Sequence, residues 1–487
     1  MTLKETPGRW EPNAVRLIIF LALLQLLVGL FTNGFTLSFD EAMWHYIGRN
    51  WFRDGLVPYA GGIDNKSPLI FAIFGLSDKL FGVNYWFPRV LGTVLQSVGI
   101  YYVYKIAKHI SGEQAGKLSI LIYGLSLLWH STGGRYVSYT ETYDVLFIII
   151  AFYLFLTSQN ERGFFVTGFM AGIGLGFRLT GFFGIITIFI GCLQKSKKAA
   201  LMFCVGVLSG IFFLAVIGFF AGIDLRSVFT YMLTDNFGPG SATDHPLSWR
   251  SENFSDKFFF SGVALFYPLI IIYLFIKRKV DLFVLWLIFE FVGFNIVGIY
   301  DTAHFKELLP ALSLMSAFSI AYLVNTYKLP LKPVMVIIFI IFLPKFSEHL
   351  SNLKKILWKE PGNTEIYCQK PFIKPEEGYA KKLGGWVKSN TAAQDMVFVA
   401  GFGAQVQAYS ERLSPTVYFN VTQTPIAKKR FYQDLGVNKP VMILIPLFSE
   451  YEQHVGPDMR RYVDDLVKKR YSLCRCMYNY NIYRIKK

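Results

Sequence analysis

Between Val15 and Phe346 one apolar stretch follows another, separated by short polar turns, and this repetition fixes the solvent before it fixes anything else. A run of about 20 apolar residues crosses the hydrocarbon core of a bilayer as a helix. Eleven such runs are visible: Val15–Phe35, Pro88–Lys108, Lys117–Thr132, Thr142–Ser158, Gly163–Phe177, Phe182–Leu193, Ala199–Ile223, Phe258–Ile276, Val280–Tyr300, Leu308–Val324 and Leu331–Phe346. The fifth, sixth and last are short for a span. Pro68–Phe81 is shorter still and carries Asp78 and Lys79, which predicts a re-entrant or interfacial helix. Composition agrees: 53% of the residues are hydrophobic and only 17% charged, against about 25% charged in a globular domain. The first run is too long for a cleavable leader, and no small-residue cleavage site follows it.

The formal charge of +16 suggests nucleic acid only until its placement is read. Basic residues occupy alternate loops: Lys4, Arg9 and Arg16; Lys105, Lys108 and Lys117; Arg162; Lys195, Lys197 and Lys198; Lys277, Arg278 and Lys279; Lys328 and Lys332. The intervening loops hold Asp40/Glu41, Arg135/Glu141, Arg178, Asp235/Asp244 and Asp301/His304. This is the positive-inside pattern. It predicts a cytoplasmic N-terminus, membrane lipid as the surroundings and no nucleic-acid partner. The odd number of spans then puts the C-terminus outside.

Past Phe346 the chain turns polar. Residues 1–346 are expected to form the transmembrane domain, 347–378 a linker with Pro361, Pro371 and Pro375, and 379–487 a small α/β domain. The last carries a helical pattern at Tyr379–Asn390, apolar strands at Met396–Gly401 and Val441–Pro446, a helix at Arg460–Arg470 and an alternating run at Cys476–Ile485. Outside the cytoplasm, a disulfide between Cys368 and one of Cys474 and Cys476 is open.

Ionisable residues at the outer ends of the spans carry the chemistry, because charge there is costly unless it faces a cavity or a partner. Asp40 and Glu41 follow the first span and begin an amphipathic helix with Met43, Trp44, Ile47 and Trp51 on its apolar side, expected to lie along the membrane surface. Helix capping is the bland reading of Asp40. Lys66, in the turn Asp64-Asn65-Lys66-Ser67-Pro68, stands at a helix start where a phosphate is favoured; a lysine snorkelling at the interface is the alternative. Arg135 and Glu141 flank the mouth of the third and fourth spans, Arg178 sits on the next outer turn, and His304 with Lys306 follows the ninth span. Cations there would stabilise a phosphate leaving group. A carboxylate would deprotonate an attacking hydroxyl.

Several stretches together resemble the GT-C superfamily of membrane glycosyltransferases, closest to the dolichyl-phosphate-mannose–protein mannosyltransferases and the bacterial aminoarabinose (lipid A) transferases. They are Asp40-Glu41, Asn65-Lys66-Ser67-Pro68-Leu69, Leu80-Phe81-Gly82 with Pro88-Arg89, Thr140-Glu141, Gly172–Gly181 and His304–Ala317, in that order over about residues 15–325. The tail resembles the extracytoplasmic domain of many bacterial members. The resemblance implies a polytopic helical fold of about 11 spans, a polyprenyl-phosphate-sugar donor, an extracytoplasmic acceptor (glycan, lipid or protein), inversion at the anomeric carbon and a bacterial inner-membrane location. By position, Asp40 matches the catalytic aspartate and Glu141 a second acid of the active-site cavity. Lys66 matches the donor-phosphate lysine, and His304 the place of a basic residue near that phosphate. Arg178 stands where a lysine is common and Ser67 where a proline is frequent; Arg135 is included by proximity. Glu41, Lys306 and Glu290 are supporting candidates.

No cofactor is required by this reading. Glu41 and His45, four apart on a helix, supply two ligands for a divalent metal, fewer than a zinc site uses. Glu290, in the middle of a span, is expected to be functional or to pair with a tyrosine or arginine of a neighbouring helix. The rival class is a lipid-linked-sugar flippase or transporter. It is disfavoured because the charges gather at one face and no two similar halves with broken helices occur.

Overall fold

The computed structural model describes residues 11–31, 35–239, 241, 243–347, 368, 378–401, 403–418, 424–447 and 456–486. The expected linker falls almost wholly outside the described residues. The chain divides into two compact units: Met1–Thr32, Arg89–Phe213 and Ser248–Leu353 in the first, and Asn33–Pro88, Leu214–Leu247 and Lys354–Lys487 in the second.

The first unit is helical. Its elements are α1 (Pro12–Phe31), the long α4 (Trp86–Ser126), α5 (Thr140–Thr157), α6 (Glu161–Gly174), α7 (Phe182–Lys195), most of α8 (Lys197–Phe220), α10 (Leu247–Ser261), α11 (Tyr267–Lys277), α12 (Leu282–Val297), α13 (Leu309–Thr326) and α14 (Leu331–Phe342). Among the described residues, five helices are long and apolar enough to cross a membrane, and a bent pair makes a sixth. Leu201, Leu208 and Phe212 on α8 stand exposed, as side chains solvated by lipid do.

Two expected spans run together in α4, which is broken at Gly112 (φ 82°). Its halves lie side by side: Tyr104 donates to Glu113, and a Cβ on Gly99 would touch Tyr123. The expected span Phe258–Ile276 is instead bent by 69° between α10 and α11. Gly262 makes the corner with φ 85°, and a Cβ there would meet the Trp129 ring at 2.9 Å.

Helices α6 and α8 touch backbone to backbone through Gly168/Gly172 on one and Gly206/Gly210 on the other. A Cβ on Gly168 would lie 2.0 Å from the Phe203 carbonyl oxygen, and one on Gly206 2.1 Å from that of Phe165. In lipid, where apolar side chains gain little by leaving their solvent, small residues that let backbones approach hold helices together. Gly206→Ile is therefore expected to cost about 1–3 kcal/mol through overpacking, read as a lower unfolding temperature in detergent.

The second unit joins α2 (Phe39–Asp54), α3 (Pro68–Phe81) and the short α9 (Leu225–Phe229) to the C-terminal segment. That segment holds α15 (Tyr379–Ser389), β1 (Val397–Val399), α16 (Ala404–Ser410), α17 (Pro425–Val437), β2 (Met442–Pro446), α18 (Pro457–Arg470), β3 (Tyr471–Met477) and β4 (Tyr480–Ile485). The sheet order is β1-β2-β4-β3, with β1 parallel to β2 and the other pairs antiparallel. Strand alternation sorts the core into two layers. Val397, Val399, Met442 and Leu444 pack under α15, while Phe398, Ile443 and Ile445 meet Phe431 of α17 and Val463 of α18. The alternating tail is a hairpin, not one strand. Tyr478 and Asn479 both have positive φ (50° and 58°), as a two-residue turn of the hairpin hand requires. Cys368 is disulfide-bonded to Cys476, and Cys474 is free and exposed.

The helix expected to lie on lipid is covered by protein instead. Every residue of α2 from Glu41 to Asn50 is buried. On one side α3 crosses so closely that a Cβ on Gly48 would stand 2.4 Å from the Gly75 nitrogen. On another, Arg49 donates to the Ala408 carbonyl of α16 (3.1 Å). The interfacial character belongs to α3, whose Leu76, Leu80 and Phe81 remain exposed.

Candidate active site

The start of α2 is capped without Asp40. Ser38 Oγ accepts from the Glu41 amide, and Glu41 Oε2 accepts from the Ser38 amide at 2.8 Å. This reciprocal pair satisfies two first-turn donors, so plain capping does not account for Asp40, which is half-buried in the first turn. One turn later on the same face, the Trp44 indole N–H donates to Asp64 Oδ2 at 2.8 Å. Asp64 Oδ1 accepts from the Asn65 amide (2.7 Å), and the Tyr59 hydroxyl donates to the Lys66 carbonyl (2.7 Å). The turn carrying Lys66 is thus pinned to the face of α2 that carries Asp40.

Lys66 is half-buried, and among the described residues the hydrogen bond of its ammonium goes to a neutral acceptor, Asn65 Oδ1, at 3.1 Å. Directly after it α3 begins, with Pro68 in its first turn and no side-chain bond from Ser67 to the first amides. A cation beside helix-start N–H groups favours an anion.

The metal candidates point to other tasks. Glu41 closes the cap, and His45 Nε2 lies 3.3 Å from Asp78 Oδ1 of α3. Among the described residues, no three His, Cys, Asp or Glu side chains gather as a metal would need. Burial, reinforced by the charge of Arg49, outweighs a backbone hydrogen bond at Gly82 and the charge of Glu411 and holds the His45 imidazole down at about 3. The sign follows: the unfolded chain, with its histidine near 6.5, binds the proton that the folded protein refuses. Stability is therefore expected to fall by roughly 1.4 kcal/mol for each pH unit as the pH drops from the higher of those two values to the lower. His45→Gln should flatten that limb in a thermal-unfolding series against pH.

The other expected residues lie in the first unit around Arg178. Its Nη1 donates to Glu141 Oε1 at 2.8 Å, and its Nε is paired with Glu307 Oε1 and lies 2.7 Å from Thr180 Oγ1. His304 Nε2 is 3.7 Å from the same Glu141 oxygen. Arg178 is only 6% exposed. Lys306 is buried and donates to the Tyr136 carbonyl and Thr142 Oγ1, both at 2.7 Å, fastening the turn before α5 to the turn before α13. Arg135 is exposed over the Tyr136 ring, 5.3 Å from its centroid. Glu290 accepts from Trp286, one turn back on its own helix, at 3.0 Å; among the described residues no hydrogen bond joins it to a tyrosine or arginine of a neighbouring helix, one of the two roles open to it in the sequence.

Two acids in this cluster escape the sequence reading, Asp144 and Glu307. With Glu290 they line a narrow crevice also bounded by Trp286 and Pro310. A signal for Asp144 exists: it lies three residues after Glu141 on a spanning helix, hence on the same face.

Residues 65–221 match the family model described as dolichyl-phosphate-mannose-protein mannosyltransferase; the stretch contains Lys66, Arg135, Glu141 and Arg178. No curated protein sequence matches the chain. Among solved structures, ArnT from Cupriavidus metallidurans bound to undecaprenyl phosphate is similar at 11% identity and a TM-score of 0.61, over 97% of this chain and 98% of that one. The archaeal oligosaccharyltransferase AglB from Archaeoglobus fulgidus, in complex with an inhibitory peptide and a dolichol-phosphate, is similar at 11% identity and a TM-score of 0.51, over 89% of this chain and 69% of that one. By architecture along nearly its whole length, and by family model over residues 65–221, the chain has the fold of the GT-C superfamily of membrane glycosyltransferases.

Proposed function

We propose that the protein transfers a sugar from a polyprenyl-phosphate carrier to an acceptor outside the cytoplasm, with inversion at the anomeric carbon. An acceptor oxygen attacks that carbon as its bond to the phosphate oxygen breaks. The bonding pair leaves with the polyprenyl phosphate, and the acceptor's proton passes to Asp40. Lys66 stabilises the charge that grows on the departing phosphate. One observation carries the reading: the Lys66 ammonium, bonded to a neutral amide beside an open helix start, belongs to a turn pinned to the face of α2 that bears Asp40.

Glu141 is the second acid. Arg178 holds it from one side and His304 stands on the other, which keeps its charge and orientation fixed. Arg135 and Lys306 add positive charge near the same turn. The lipid phosphates bound by ArnT and by AglB support a polyprenyl- or dolichyl-phosphate carrier here. The positive-inside pattern supports a catalytic face turned outward in a bacterial inner membrane.

Lipid analysis of a strain lacking the protein tests this. The expected result is accumulation of a glycosylated carrier together with an under-modified envelope product. An unchanged lipid profile and product would refute it.

A further inference from the structure

Asn65, which accepts from the Lys66 ammonium, is itself bonded to a residue 171 positions further along the chain. An ammonium only donates, so the end of Asn65 that faces it is the carbonyl oxygen, and the Asn65 N–H₂ is turned away. That N–H₂ donates to Asn236 Oδ1 at 2.7 Å. Asn236 is itself held on both flanks. Its backbone carbonyl accepts from Thr243 Oγ1 at 2.7 Å, and its neighbour Asp235 accepts through Oδ2 from the buried Tyr418 hydroxyl at 2.9 Å. The C-terminal stretch around Tyr418 also meets the loop before Lys66, where the Ile63 amide donates to the Val417 carbonyl at 3.1 Å. Tyr231 stacks on Tyr59, whose hydroxyl holds the Lys66 carbonyl.

From this chain of contacts we infer that Asn236 is a positioning residue for the donor phosphate. Acting through Asn65, it fixes where Lys66 presents its charge, and Tyr418 of the C-terminal segment keeps Asn236 in place. A lysine side chain is costly to immobilise, and one held in its binding rotamer beforehand binds an anion more tightly. The inference rests on Lys66 being the phosphate cation, as proposed above.

The test measures binding of undecaprenyl phosphate to the full-length protein in detergent, with KM and kcat for a glycosylated polyprenyl phosphate. Lys66→Met should weaken binding about 10–100-fold, the range for a hydrogen bond to a charged group. Asn236→Leu should weaken it about 3–10-fold, as loss of one neutral hydrogen bond does, and raise KM more than it lowers kcat. Tyr418→Phe should act in the same direction. In a double-mutant cycle, Asn236→Leu should add nothing once Asn65→Ala is present. Wild-type binding by Asn236→Leu beside a weakened Lys66→Met would overturn the relay and leave the proposed function standing, as would full additivity with Asn65→Ala. Wild-type binding by Lys66→Met would overturn the phosphate role itself.

Discussion

Asp40→Asn is expected to lower sugar transfer by about 10²–10⁴-fold, the share a positioned general base supplies, while the protein folds and inserts as before. The substitution keeps size and shape and removes the negative charge together with the ability to take a proton. The start of α2 tolerates it because Ser38 and Glu41 carry the cap. What folding loses is the favourable placing of a negative charge near the helix start, about 0.3–1 kcal/mol. Initial rates with a polyprenyl-phosphate sugar, beside thermal unfolding of the same preparation, separate the two effects. A variant with an unchanged unfolding temperature and activity within a few fold of wild type would remove Asp40 from the chemistry.

The largest effect on stability is expected at Arg178. Its guanidinium joins Glu141, Glu307 and Thr180 in an almost fully buried site. Removing one partner of a buried charge pair leaves the other uncompensated and costs about 3–5 kcal/mol. Arg178→Met should therefore yield little folded protein in detergent. Arg178→Lys keeps the charge but not the planar fork that serves several acceptors at once, and should fall between Met and wild type. Adding Glu307→Gln to Arg178→Met should recover part of the loss, since one stranded carboxylate is then gone. Size-exclusion profiles and unfolding temperatures report both. If Arg178→Met unfolds at the wild-type temperature, the pairing contributes nothing to the fold.

The apolar runs were legible because hydropathy at helical length has one dominant meaning in a bilayer, and helices stand at each of them. The bend at Gly262 was not, since a glycine inside an apolar run signals a kink only once the neighbouring Trp129 is known. The amphipathic pattern of α2 fits a lipid face equally well, and its apolar side is met by α3 and α16. Periodicity tells that a face must be covered, not by what. In the site, charges at span ends were visible one at a time. Glu307 carries no motif of its own, and its pairing with Arg178 joins residues 129 positions apart. Asn236 and Tyr418 carry no motif at all. Their importance lies in hydrogen bonds that only the folded chain forms.

The most direct measurement follows both products of the reaction at once. The protein is reconstituted in vesicles with a polyprenyl-phosphate sugar and an envelope acceptor fraction, and released polyprenyl phosphate is counted against sugar bound to acceptor. One carrier phosphate should be released for each sugar transferred, with the anomeric configuration inverted in the product. Labelled lipid that crosses between leaflets with its sugar still attached, and with no carrier phosphate released, would contradict glycosyl transfer and make the protein a transporter.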